Sequence, residues 1–324
     1  MGLTMGPRGA HYTVNTKGRV TTSVGLPGTG LYYTESRNKN SQPRTTRATK
    51  PTPEQQLLAT THFDKPNLLS GPAERAFYEF SNNYFLKDSH KPFAEIKAAA
   101  DQLRKQYSDL TPFIDYLMIA PTSGQDADEA LALCEKIWAL GNSFLNEKLA
   151  QKYFDEFHAA IPIARGIYMH TDYNHSYLTY TYSELLQAAG NPAKALEILN
   201  KAPESEYKEI AVLDLYLSLK QYEDVIAQTN NITNTDDISA LTLLFRAIAF
   251  RETNQPQIAI ETFRLVTSKR SRSQEILNYA IYERACTYAA MGKKAMAIKD
   301  LTKLLAVDST DVAAQEKLKE LTNY

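Results

Sequence analysis

The stretch LNYAIYERACTYAAMGKKAMAIKDLTKLLAVDS, residues Leu277 to Ser309, decides the fold. Ile281, Ala285 and Tyr288 recur at helical spacing before the break Met291-Gly292-Lys293, and Ala297, Leu301 and Leu304 recur in the same way after it. Two helices folded back on each other, with a small residue where they cross, account for this pattern. Such a unit cannot bury its apolar face alone and must stack on neighbours of its own kind.

Three further copies precede it. One runs Leu243, Ala247, Phe250, the break Thr253-Asn254-Gln255-Pro256, then Ala259, Phe263 and Val266. Another has Leu213, Tyr216, Lys220-Gln221-Tyr222 and Val225, and the first has Ser183, Leu186, Ala189-Gly190-Asn191-Pro192, Ala195 and Leu199. The breaks at Gly190, Lys220, Asn254 and Gly292 are 30, 34 and 38 residues apart, around the period of about 34 of helix–turn–helix repeats. Gly190 and Gly292 stand where a helix end wants a left-handed residue. Pro192 and Pro256 open the following helix, where the missing N–H is harmless. On Ala247 and Ala285, Phe250 and Tyr288, and Ala259 and Ala297, the chain resembles the tetratricopeptide repeat family over Ser176 to Ser309. The family's Trp is replaced by Leu243 and Ile281, and its terminal Pro by Ser309.

The expected fold class is mainly α: a tetratricopeptide-like solenoid of antiparallel helix pairs at 176–324, carrying a small N-terminal β-meander module at 1–34. In that module Gly-, Pro- and Asn-rich turns separate short β-type runs, His11–Val14, Val20–Val24 and Leu31–Tyr33. So few large apolar residues make the sheet marginal alone, so it is expected to dock on something. Met5-Gly6-Pro7-Arg8-Gly9-Ala10 and Val24-Gly25-Leu26-Pro27-Gly28-Thr29-Gly30-Leu31-Tyr32-Tyr33 resemble a short bacterial glycine-rich module known as domain of unknown function 4236. Its members usually carry an extra strand pair before the Gly-Pro-Arg-Gly turn, so the module here reads as truncated or as starting upstream. The resemblance implies an architecture and no chemistry.

Residues 35–56 hold Ala48 as their only apolar residue and read as a flexible basic linker. Residues 57–175 read as an irregular helical region of degenerate helix pairs, with helices at Ala73–Leu86, Phe93–Tyr107, Asp126–Leu140 and Asn146–Ala159 and with Pro92, Pro112, Pro121 and Gly141 as punctuation. A separate helical subdomain is the alternative. Trp138, in line with Leu131, Cys134 and Ile137, is expected in the core.

The 324 residues, 43% hydrophobic, suffice for about two domains with a sizeable core. No stretch approaches the roughly 18–20 consecutive apolar residues of a membrane span, the N-terminus lacks a signal-type apolar core, and a cytoplasmic protein is expected. Cys134 and Cys286 offer no disulfide or metal framework and read as buried apolar residues. The net charge of −1 hides an asymmetry: eight Lys or Arg against Glu35 give residues 1–50 a charge of +7, leaving −8 on the rest.

Chemistry-bearing patterns are few. Gly25 to Gly30 lacks the Lys-Ser/Thr and following helix of a phosphate loop, so a turn is expected. His158, His170, Asp172 and His175 are the one cluster of potential ligands, but their spacing suits no common helical metal pair. No nucleophile-elbow or metallohydrolase motif is present, and no cofactor is expected. The acidic pairs Asp126/Asp128 and Asp236-Asp237 fit helix starts. The basic arm, with Arg8, Arg19, Arg37, Arg44 and Arg47 beside Tyr12, Tyr32 and Tyr33, fits phosphate contact and base stacking or else a solvated tail.

The tetratricopeptide resemblance implies a ligand groove lined by the first helix of each unit. That assigns peptide-binding positions to Tyr177, Tyr180, Glu184, Tyr207, Asp214, Arg251, Tyr279 and Tyr282. Tyrosine supplies large contact area at small entropic cost; the competing expectation is that these rings pack internally. The family's carboxylate clamp of Lys and Asn is not reproduced. The function expected is a non-catalytic adaptor or scaffold that binds a peptide or protein segment. A nucleic-acid-associated protein is the alternative, and a hydrolase with a diverged site in the irregular middle comes third.

Overall fold

In the computed structural model, residues 2–5, 10–15, 19–25 and 32–38 are described as backbone strands, and residues 65–86, 91–141, 143–154 and 157–322 in full, the His158 side chain apart. Strands β1 (Gly2–Met5), β2 (Ala10–Asn15), β3 (Arg19–Gly25) and β4 (Tyr32–Asn38) form an antiparallel meander in that order. Leu3 lies opposite Val14, Val14 opposite Val20, and Val24 opposite Tyr33. β1 adds a strand to the three expected. Glu35–Asn38, expected in the linker, instead pair with Arg19–Thr22. Strand pairing uses main-chain N–H and C=O groups, so a polar run extends a strand wherever a neighbour's edge is open. The rest of the linker and the side chains of the basic arm lie outside the described residues.

Contacts divide the chain into two compact units, Met1–Pro162 with Met169–Ala202, and Ile163–Tyr168 with Pro203–Tyr324. In the first, α1 (Pro72–Ser81) runs into a π turn, Asn82–Leu86, and is followed by α2 (Phe93–Gln106), α3 (Thr111–Ser123), α4 (Ala127–Ala139) and α5 (Lys148–Tyr153). Two expectations fail here. α3 spans Pro112 and Pro121, both expected as breaks. Pro112 occupies the first turn, Pro121 the last, and the seven residues Phe113–Ile119 between them are all buried, so no amphipathic period marks the helix. The helix expected at Asn146–Ala159 stops at Tyr153, and a hairpin of β5 (His158–Ala164) and β6 (Ile167–Asp172) follows. Ile161, Ile163, Ile167 and Met169 are buried on either side of Gly166, an alternation the sequence did contain.

Helices α6 (His175–Ala188) and α7 (Pro192–Leu199) form the first repeat pair. The core of this unit is aromatic. Tyr116 meets Phe144 and Phe154 with ring centroids 5.4 and 5.2 Å apart, and Phe77 meets Phe113 at 6.2 Å. Asp115 is a charged residue buried inside it; its carboxylate accepts from Arg104 Nε at 2.7 Å and Lys136 Nζ at 2.5 Å. Trp138, expected in the core, is half-buried and stacks on His175.

The second unit stacks three pairs: α8 (Glu206–Ser218) with α9 (Tyr222–Gln228), α10 (Asp237–Glu252) with α11 (Pro256–Thr267), and α12 (Gln274–Ala290) with α13 (Lys294–Val307); α14 (Val312–Thr322) follows. All four expected breaks are left-handed, with φ of +77° at Gly190, +59° at Lys220, +61° at Asn254 and +71° at Gly292. Each carries the same paired turn. At Gly292 the N–H donates to Ala289 O at 3.0 Å and the next N–H, of Lys293, to Tyr288 O at 2.9 Å; Asn254 and Gln255 repeat this with Arg251 and Phe250. These are the two bonds that close a helix end and reverse the chain. The crossing residues Ala247, Ala285, Ala195, Ala259 and Ala297 are fully buried, so the backbones approach closely there.

Arginines tie successive elements together. Arg246 of α10 donates to Ile226 O at 2.6 Å and Thr229 Oγ1 at 3.0 Å, closing the carbonyl end of α9. Arg284 of α12 makes a two-pronged contact with Asp300 of α13, at 2.7 and 2.9 Å, and donates to Thr267 Oγ1 at the end of α11. Lys220 holds a conformation that L side chains resist. Lys220→Gly is therefore expected to raise stability by about 0.5–1 kcal/mol in denaturant melts; an unchanged or lower midpoint would contradict the turn geometry.

Candidate functional site

The eight residues assigned to a groove fall in both units, Tyr177, Tyr180 and Glu184 in the first and Tyr207, Asp214, Arg251, Tyr279 and Tyr282 in the second. Tyr177 and Tyr180 are each 2% exposed. Tyr177 stacks on Tyr173 with centroids 4.1 Å apart and meets Tyr116 edge-on. These two tyrosines are core, which corrects the expectation of ligand-facing rings: a ring at groove register in α6 has aromatic neighbours on α3 and after β6 to pack against. Glu184 is half-buried on the same helix.

Tyr207, Asp214, Arg251, Tyr279 and Tyr282 belong to the second unit, all partly exposed. The first helices of the pairs there, α8, α10 and α12, pack side by side in that order. Along α10 the register positions Leu241 and Leu244 are fully buried, so the face opens only at the helix's last turn. There a cleft of about 480 Å³ lies between α10 and α12, lined by Arg251, Glu252, Asn254, Glu283, Cys286 and Ala290. Arg251 Nη1 donates to Glu283 Oε2 at 2.6 Å and its Nε to Glu252 Oε1 at 2.8 Å. Burial works against the Arg251 charge, but Glu283 and Glu252 more than offset it and raise its pKa. The Tyr279 phenol is pushed up by burial and further by the carboxylates of Glu283 and Asp214, with Arg165 and Arg251 opposing. Burial pushes Tyr282 up to about 12, with Cys286 adding to it.

Glu252 and Glu283 escaped the sequence reading. Each is an ordinary acid on a helix, and only the stacking of α12 on α10 brings Glu283 to Arg251. Burial raises both thiols, the enclosed Cys134 and the partly exposed Cys286. Thiol labelling at neutral pH is expected to modify Cys286 slowly and Cys134 only on unfolding, because the thiolate is the reacting form. Fast labelling of both would contradict the burial. Among the described residues, no group of three His, Cys, Asp or Glu is placed to hold a metal. His170 is exposed, while His175 lies against Trp138. No described helix is long and apolar enough to cross a membrane.

A family model, "Protein of unknown function (DUF4236)", matches residues 1–34. A comparison with curated proteins finds no match. Among solved structures, the chain is similar to the N-terminal domain of the EccA1 ATPase from the ESX-1 secretion system of Mycobacterium tuberculosis. The TM-score is 0.59 at 14% identity, over 77% of this chain and 89% of that one. A weaker likeness, with a TM-score of 0.41 at 15% identity over 78% of this chain and 73% of that chain, is to NprR in complex with its cognate peptide NprX. The EccA1 likeness bears on fold: the protein is a mainly α, tetratricopeptide-like helical repeat protein with a small N-terminal β-meander.

Proposed function

We propose that the C-terminal stack is a non-catalytic scaffold that holds a peptide or protein segment at the cleft between α10 and α12. The observation that carries this reading is the Arg251–Glu283 pair, half-buried at the edge of an open cleft on rigid helices. Polar groups so placed give orientation and specificity to an extended ligand while the helices supply a pre-formed surface. Tyr282 and Cys286 add area beside them.

A photocrosslinking amino acid at Ala290, on the cleft lining, is expected to give a discrete protein adduct in the cells that make this protein. The same group at Lys299, exposed on α13, is expected to give none. Equal adducts from both positions, or none from Ala290, would refute the proposal.

A further inference from the structure

An arginine already rests on this face. Residues 163–168, the tip of the hairpin, belong to the C-terminal unit. At the tip Gly166 has φ +81°, and a Cβ there would stand 3.2 Å from Ile276 Cγ1, so the bare backbone lies against the first turn of α12. The residue before it, Arg165, is exposed, and its guanidinium lies 4.5 Å from the centre of the Tyr279 ring. Glu283 stands one helical turn beyond Tyr279 on the same side of α12. A planar guanidinium stacks on an aromatic ring while its edge donates to carboxylates, which an ammonium cannot do equally well.

We propose that the α12 face selects an arginine-bearing segment of a partner protein, the guanidinium stacking on Tyr279 beside Glu283, and that Arg165 is the resident side chain such a segment replaces. This rests on the reading of the stack as a peptide scaffold and adds the chemistry of the ligand. The charge balance fits: Glu252 and Glu283 outnumber Arg251 on the cleft lining, and the Asp214 carboxylate is also felt at Tyr279. The exchange needs little movement. Ile163 and Ile167 flank the tip and are buried at 1% and 5%, so the backbone stays anchored while the exposed Arg165 side chain rotates away. In cis the tip thus acts as a competitor, and it sets a threshold that a partner must exceed.

The test uses the full chain and a fluorescein-labelled peptide spanning residues 161–169, with a second peptide carrying alanine in place of the arginine, read by anisotropy. The arginine peptide is expected to bind Arg165→Ala roughly tenfold more tightly than the unaltered protein, a difference of about 1.4 kcal/mol. The alanine peptide is expected to show no such gain. In the Arg165→Ala background, Tyr279→Phe keeps the ring and is expected to keep binding, whereas Tyr279→Leu and Glu283→Gln each lose it. Equal affinity for both peptides, no gain on removing Arg165, or no binding to either protein at millimolar peptide would overturn the proposal. An Ala290 adduct obtained alongside any of these would leave the scaffold reading standing and remove only the arginine preference.

Discussion

Phe263→Ala is expected to lower the stability of the C-terminal stack by about 3–5 kcal/mol, the range for a large ring deleted from a tight core. Phe263 is fully buried on the second helix of its pair, between Ala259 and Val266, which are also at 0%. Its register partners in the other pairs, Leu199 and Leu301, are buried alike, and Thr229 takes the same place in the shortest unit. Phe263 is wholly enclosed within the C-terminal stack, so alanine leaves a hole where the ring stood. At roughly 3–5 °C per kcal/mol for a unit of this size, the melting temperature should fall by about 10–20 °C. Ile258→Ala, on the exposed side of the same helix at 46%, should change it within about 0.5 kcal/mol. Equal effects at the two positions would show that α11 does not bury the face assigned to it.

Arg284→Ala is the second large effect, about 3 kcal/mol. Removing one member of a mostly buried pair leaves the other without compensation. The side chains of Arg284 and Asp300 are 12% and 11% exposed, and the guanidinium also holds Thr267. The loss therefore loosens three helices at once. The double variant Arg284→Met with Asp300→Leu should recover most of it, because the desolvation of both charges disappears together with their attraction. A double variant no better than the single one would show that the contact with Thr267, rather than the ion pair, carries the effect. Thermal unfolding followed by circular dichroism reads all three proteins.

The repeat register is legible in the sequence, because it rests on local chemistry. A left-handed residue must close each first helix and a small residue must sit at each crossing, and both requirements leave marks at fixed spacing. Gly190 and Gly292 announce the turn by composition; Lys220 and Asn254 announce it only by falling in step. Where the signal was a break, it misled: Pro112 and Pro121 bound a helix instead of excluding one, because proline is tolerated in a first turn and the helix between is buried all round. The hairpin around Gly166 is marked in the sequence by alternating apolar residues, Ile161, Ile163, Ile167 and Met169, but the helical period of 146–153 runs directly up to it and masks the change of period.

The candidate site divides the same way. The tetratricopeptide resemblance implied that Arg251, Tyr279 and Tyr282 line one groove; the sequence by itself determined that pairs of helices stack and where each pair turns. Those facts follow from periodicity, which is a property of neighbours along the chain. Only the tertiary structure decided that Tyr177 and Tyr180 are core, that Glu283 meets Arg251, and that Arg165 covers Tyr279. Each of these depends on which side chain a distant segment places across a gap of a few ångströms. Register says which way a residue points along its own helix, and packing alone says what it finds there.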